Sequence, residues 1–438
     1  MGTVQRLAAI RYNVKPSICF IHTPCSDLND DRLEPPMGLL YLATWLQKHG
    51  YVVALCDLSS VPLEQWGVTI PLADVYGFST YTATYHITIK IVRILKAEHP
   101  EAVTVAGGPH ASALPEEVLK EFDYVIRGEG ENALLRLMVA LHDNDKSIDR
   151  ILHGPAQADL DLLPFPDFAL VDIHSYHRLS DGRPSLSILS SRGCPYKCTF
   201  CNSKVMHENG AVRFRSPENI VEEIRQLKAL WGITSFRFQD DTFTLGLPRM
   251  RMMTKLLKNE DITFRCFGRV DSCSVEMVSL LYEGGCRHIA FGIESGSPSM
   301  LERMEKHQTV ADIRSGIANA KAAGLVVRVY LLVGFPGESW DTVRKTADLM
   351  AECEPDEFIV YPLIPYPGTP LYHDAKRFGI TKINQDFSRF LQAGRDRRTG
   401  FVFQTDELDE QKIAEMRSYL IERLEPLSVW AGDSQRFR

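Results

Sequence analysis

The chain has 438 residues, of which 45% are hydrophobic and 24% charged, with 24 Pro and 29 Gly; this globular composition excludes disordered, collagenous and coiled-coil classes. A formal net charge of −7 argues against a partner held through nucleic-acid phosphates. The length predicts two or three domains, each able to bury its own core, and the unusual feature is a set of ten cysteines.

Met1–Val14 has no apolar stretch of the kind a signal peptide carries, and no window reaches the ~18 apolar residues of a spanning helix. A cytoplasmic protein with no membrane contact and reduced cysteines is expected. From Ser17 the chain alternates strand-like apolar runs with amphipathic stretches. Ser17–Thr23, "YVVALCDL", "DVYGFST", "AVTVAGG" and Asp123–Gly128 read as strands. Gly38–Gly50, the run ending at Pro100, and "ENALLRLMVALHD" read as helices. This order predicts an α/β, Rossmann-like, doubly wound parallel sheet that takes ligands on the turns after its strands. Those turns are Gly77–Tyr81, Gly107–His110 and Gly128–Glu131; they suit a bulky or phosphate-bearing ligand, and equally a tight strand-to-helix connection. The first strand lacks a following G-x-G-x-x-G, so a dinucleotide is not expected.

Residues 144–184 are rich in Pro and Asp and read as a linker after a first domain of residues 1–143. From Ser185 the alternation restarts with six strands, from "SLSILSSR" to "EFIVYPLI", and five helices between them. That predicts a partial (β/α)6 barrel over 185–375, with its chemistry at the strand C-terminal ends. Residues 376–438 read as a short helical segment with one helix at Asp409–Glu425.

The motif that carries chemistry is "SRGCPYKCTFCNS", which places Cys194, Cys198 and Cys201 at C-x3-C-x2-C spacing just after the first barrel strand. Three thiolates on one loop hold three irons of a [4Fe–4S] cluster and leave the fourth open. A structural zinc site would need a fourth Cys or His; His207 is the nearby candidate, and a partner Cys pair is absent.

On these residues the sequence resembles the radical S-adenosylmethionine (SAM) superfamily, including the aromatic before the last cysteine, Phe200. The resemblance implies that the open iron chelates SAM and that reductive cleavage yields a 5′-deoxyadenosyl radical. It extends to later strand ends in order. Asp240 and Asp241 in "FQDDTFT" stand where the SAM ammonium is met, although one of them also suits a helix N-cap. Arg269 in "FGRVD" would meet the SAM carboxylate or else be a surface arginine. Glu294 in "FGIESGS" would hold the ribose hydroxyls, and Gly334 in "LVGFPGES" would let the adenine approach the backbone.

The N-terminal half resembles the cobalamin-binding domain fused ahead of such barrels, through "PPMGLLYLATWLQKHGY", "GFSTYTAT", "AGGPHASALPEE" and "RGEGE". The two resemblances together span Ser17 to Tyr372. They imply a cobalamin pocket lined by Ser79, Thr80, Gly107, Gly108 and Gly130. No lower histidine ligand is implied, because "CSDLNDDRLEPPMG" contains none and His22 and His110 suit core or turn roles. The other seven cysteines read as reduced structural thiols, with Cys25 the one placed towards the cofactor.

The function implied is radical hydrogen abstraction from an unactivated carbon of a small, secondary-metabolite-type substrate, followed by methylation through cobalamin. A flavodoxin- or ferredoxin-type protein would donate the electron. One alternative is dehydration or rearrangement of an aminoglycoside-type sugar without cobalamin, with Tyr330, Tyr361 and Tyr366 orienting the sugar or serving only as barrel aromatics. Another is a non-catalytic cobalamin or metal sensor, for which no effector domain is visible.

Overall fold

The computed structural model of the protein describes residues 14–25, 28, 30–207, 211–392 and 400–427, with the backbone of 430–431. The leading stretch read above for a signal peptide lies outside these residues up to Val14, as does the end of the 376–438 segment. The chain forms two compact units, one built around Pro35–Tyr176 and one from His177 onward that also takes in Glu34.

The first unit is a parallel sheet of β1 (Ile18–His22), β2 (Val53–Asp57), β3 (Val75–Ser79), β4 (Val103–Gly107), β5 (Tyr124–Arg127) and β6 (Ile151–His153), in the order β2-β1-β3-β4-β5-β6. Period-two alternation gives the sheet two apolar faces. Cys19 and Ile21 join Tyr76, Phe78 and Ile91 on one side, while Ile18 and Phe20 join Leu39, Leu46 and Leu137 on the other. Helices α1 (Met37–Lys48), α2 (Tyr85–Glu98) and α3 (Glu131–His142) supply these covers. The strand order reverses between β1 and β3, the crevice where doubly wound sheets take ligands. Strand β6 lies inside the segment read as a linker. Only three residues long, it carries no period of its own and is defined by pairing with β5.

The second unit curls six parallel strands in sequence order: β7 (Arg183–Ile188), β8 (Ser235–Phe238), β9 (Thr263–Gly268), β10 (Cys286–Glu294), β11 (Val326–Val333) and β12 (Glu357–Pro362). Between them run α4 (Pro217–Trp231), α5 (Leu247–Leu257), α6 (Val275–Glu283), α7 (Val310–Ala322) and α8 (Trp340–Cys353). Local chemistry sets the helix ends. Ser216 caps α4, and Gly232 closes it in the left-handed region at φ 67°. Thr309 with Asp312, and Ser339 with Thr342, form capping boxes on α7 and α8. After β12 comes an antiparallel pair, β13 (Ile380–Ile383) and β14 (Phe403–Thr405), and then α9 (Glu410–Leu424). The hairpin corrects the purely helical reading of this segment; its strands are short and separated by about twenty residues, so no turn signal marks them.

Candidate active site

At the C-terminal ends of the six strands lies a cavity of about 510 Å³, within the range of small-molecule sites. The loop after β7 brings all three motif cysteines to it. Gly193, at φ 96°, starts that loop; a Cβ there would stand 2.5 Å from the Ala211 carbonyl, so only glycine lets the two segments pass. Buried Thr199 pins the loop, with its N–H donating to the Met304 carbonyl (3.0 Å) and its carbonyl accepting from Leu371 N–H (3.3 Å). Burial pushes the Cys198 thiol up, with the Lys306 and Arg269 charges acting against it.

Glu294 ends β10 at φ 66°, a left-handed conformation that a non-glycine residue holds at a cost of order 1–3 kcal/mol. Its carboxylate pairs with Lys306 Nζ at 3.1 Å. Gly292 permits this: a Cβ there would come 2.4 Å from Glu294 Oε1. Arg269 is buried, not a surface residue; it donates from Nε and Nη2 to Asp271 (3.0 Å each) and lies 3.5 Å from the centre of the Tyr196 ring. Asp241 accepts from the Ser203 hydroxyl at 2.6 Å. Asp240 is fully buried and accepts from the Ser190 (2.7 Å) and Ser191 hydroxyls; burial pushes its carboxyl up against those donors and Arg249. Neither aspartate caps α5, whose N-cap is Gly246.

Acids and bases therefore face each other across one cavity: Asp240, Asp241 and Glu294 on one side of the balance, Arg269 and Lys306 on the other. Such mixed charge suits a zwitterionic ligand with an ammonium and a carboxylate. The three thiols fit an iron–sulfur cube in donor chemistry and number. Among the described residues no three His, Cys, Asp or Glu side chains crowd closely enough for a single metal ion; thiolates around a four-iron cube stand further apart than those around one ion. His207 is engaged elsewhere, with Nδ1 3.0 Å from Glu129.

Two of the expected contact residues are also fixed by their own turns. Gly334 does not line the cavity; its φ of 92° shapes the turn after β11, and a Cβ would strike Ile413 of α9 at 2.9 Å. Thr80 in the first unit is fully buried, with its hydroxyl donating to the Gly107 carbonyl (2.8 Å) and accepting from Ala111 N–H (3.0 Å), so it shapes its turn. Ser79 and Gly108 do meet at the ends of β3 and β4, since a Gly108 Cβ would lie 2.8 Å from Ser79 Oγ. Gly107 ends β4 beside them, while Gly130 begins α3 against Leu42 of α1. His110 is fully buried, Nδ1 3.1 Å from the Thr82 hydroxyl. Sequence reasoning missed Lys306, Tyr196 and Gln239, all cavity-lining. Lys306 falls in an ordinary polar turn, where only its pairing with Glu294 distinguishes it.

A half-barrel with three loop thiols at the mouth, preceded by a doubly wound sheet, defines the class of cluster-bearing SAM enzymes with a cofactor-binding domain ahead. Residues 188–350 match the radical SAM superfamily and residues 31–138 the B12 binding domain. An uncharacterized methyltransferase of Pyrococcus horikoshii is 30% identical, over 78% of each chain. The anaerobic magnesium-protoporphyrin IX monomethyl ester cyclase of Rubrivivax gelatinosus is 24% identical over 78% of this chain and 66% of its own. In fold, the chain is similar to the radical SAM methyltransferase TsrM of Kitasatospora setae, solved with cobalamin and a [4Fe–4S] cluster: TM-score 0.71, 16% identity, 94% of this chain and 89% of that one. The chain belongs to the radical SAM superfamily, in the branch that carries a B12 binding domain before the barrel.

Proposed function

We propose that this enzyme activates a carbon of a small molecule through a SAM-derived radical and methylates it through cobalamin. The observation that carries the reading is one cavity holding Cys194, Cys198 and Cys201 together with mixed charge at the strand C-terminal ends. A bound cluster would supply the electron that cleaves SAM, and bound cobalamin the methyl group. The three cysteines would hold the cluster, with Phe200 on the same loop. Asp241 would accept from the SAM ammonium; Asp240, already spent on Ser190 and Ser191, would position the loop behind it. Arg269 and Lys306 supply the positive side for the carboxylate, and Lys306 fixes Glu294 for hydroxyl contacts. Ser79, Gly107 and Gly108 would border the cobalamin tail. Apolar Phe267, Leu332 and Leu363 help exclude water from the radical. A flavodoxin- or ferredoxin-type donor would deliver the electron.

The methyltransferase descriptions of similar proteins support methyl transfer, and the cyclase among them makes the assay's second product decisive. The test supplies SAM, reductant and candidate acceptors anaerobically, with and without cobalamin. S-adenosylhomocysteine together with 5′-deoxyadenosine, both dependent on cobalamin, is expected. Deoxyadenosine alone, indifferent to cobalamin, overturns methylation in favour of dehydration or rearrangement. Neither product above the level of a Cys198→Ala variant overturns the enzymatic reading altogether.

A further inference from the structure

Below the cavity, the bore of the half-barrel carries a second charged group. Gln239, Phe267 and Tyr330 line the cavity. Strand alternation puts Arg237, Arg265 and Arg328 on the same face, two residues deeper along each strand. The opposite face is sealed: Phe236, Cys266 and Val329 are fully buried under the helices. Arg265, Arg328 and Tyr330 instead keep partial exposure.

The charge in this bore does not balance. Arg237 and Arg265 are register partners on adjacent strands, a like-charge pairing that disfavours the sheet. Glu34 is shared by Arg178 (3.0 Å) and Arg237, and Glu357 takes Arg328. Asp30 lies 3.1 Å from His177 and also acts on Arg178, while Asp181 pairs with His288 at 2.5 Å. Among the described residues, Arg237 thus shares its carboxylate with Arg178, and Arg265 forms no ion pair. Arg237 is 8% exposed, and its Nε–H has no acceptor among the described residues. Burial and the Arg265 and Arg328 charges push its guanidinium down. The layer also touches the cavity above it: Tyr330 acts electrostatically on Arg265 and Arg328, and Gln239 Nε2 donates to Glu34 at 3.2 Å.

We propose that the bore is an anion-binding site in which Arg237 and Arg265 receive a carboxylate or phosphate borne by the small-molecule substrate. Two guanidinium forks on adjacent strands match the planar, multi-acceptor geometry of an oxyanion. A neutral substrate would leave the Arg265 guanidinium without a counter-charge among the described residues, in low dielectric. The site deepens the reading given under Proposed function, on which the word substrate rests, by fixing which end of the molecule points away from the reacting carbon.

Inorganic phosphate is the probe, applied to reconstituted holoenzyme without turnover. Thermal unfolding in phosphate, against chloride at equal ionic strength, is expected to show a saturable rise in Tm. Arg237→Gln and Arg265→Gln are expected to weaken the apparent affinity by about tenfold or more. Should a variant fail to fold, phenylglyoxal labelling of the wild-type enzyme reads the same site: phosphate protects Arg237 and Arg265 but not exposed Arg93. Equal responses to phosphate and chloride, or protection of no bore arginine, overturn the site. Stoichiometric phosphate released on denaturing dialysed holoenzyme would make a free ion the natural occupant and overturn the substrate-borne assignment; its absence supports that assignment. None of these readouts measures methylation, so their failure leaves the proposed function standing.

Discussion

Glu338 is a buried carboxylate that offers a direct test of how the turn after β11 is held. It is 2% exposed and accepts a hydrogen bond from the Gly334 N–H (2.5 Å), with the Phe335 N–H also favouring its charged form. Burial raises its carboxyl from 4.5 to about 7, even though both donors favour the charged form. The native state therefore binds this proton more tightly than the unfolded chain does. Its contribution to stability is fully present below pH 4.5 and is lost as pH rises through about 7. A displacement of about 2.5 pH units corresponds to roughly 3 kcal/mol. Glu338→Gln keeps an oxygen to accept from both N–H groups and cannot ionise. Wild type and variant should be equally stable near pH 4.5, and the variant should be the more stable by up to about 3 kcal/mol above pH 7. Denaturant titrations of both proteins across that range give the difference directly, and pH effects elsewhere in the fold cancel in it. Parallel curves at all pH values would refute a neutral, buried Glu338.

His110 should act with the opposite sign. Burial pushes its imidazole down from 6.5 to about 4, so its contribution is present above pH 6.5 and lost as pH falls towards about 4; His110→Gln should flatten that acid limb in thermal scans. Gly193→Ala sets a Cβ 2.5 Å from the Ala211 carbonyl at a positive φ and should cost at least about 2 kcal/mol, with reconstituted iron content falling too. Gly316→Ala, whose Cβ would lie 2.6 Å from the Val270 carbonyl, should lower stability by about 1–3 kcal/mol while leaving SAM cleavage per bound cluster unchanged. Far-UV circular dichroism of Cys198→Ala should match wild type, because the thiol anchors no strand or helix.

Of strands β1–β12, eleven are readable as apolar runs, because parallel strands covered by helices are buried on both faces. Strand β6 and the β13–β14 hairpin escaped because three- and four-residue strands are defined by their partners, not by a period. The cluster loop was legible from spacing alone, since C-x3-C-x2-C is local. Glu294, Arg269 and Asp241 were placed by order along the strand ends and do meet in the cavity. At Gly334 and Thr80 the sequence cannot separate two demands, because tight packing and an internal hydrogen bond call for the same residue types as ligand contact. The arginines of the bore carried an unused signal: "SFRFQ", "TFRCFG" and "VVRVYLLV" each break an apolar strand with one cation at the inward position.

The central claim is that three cysteines hold a cluster whose fourth iron is open to SAM. Anaerobic reconstitution followed by iron and sulfide analysis should give about four of each per chain, and the electron paramagnetic resonance signal of the reduced protein should change when SAM is added. A single tightly bound zinc ion in place of iron, or a cluster signal indifferent to SAM, would contradict it.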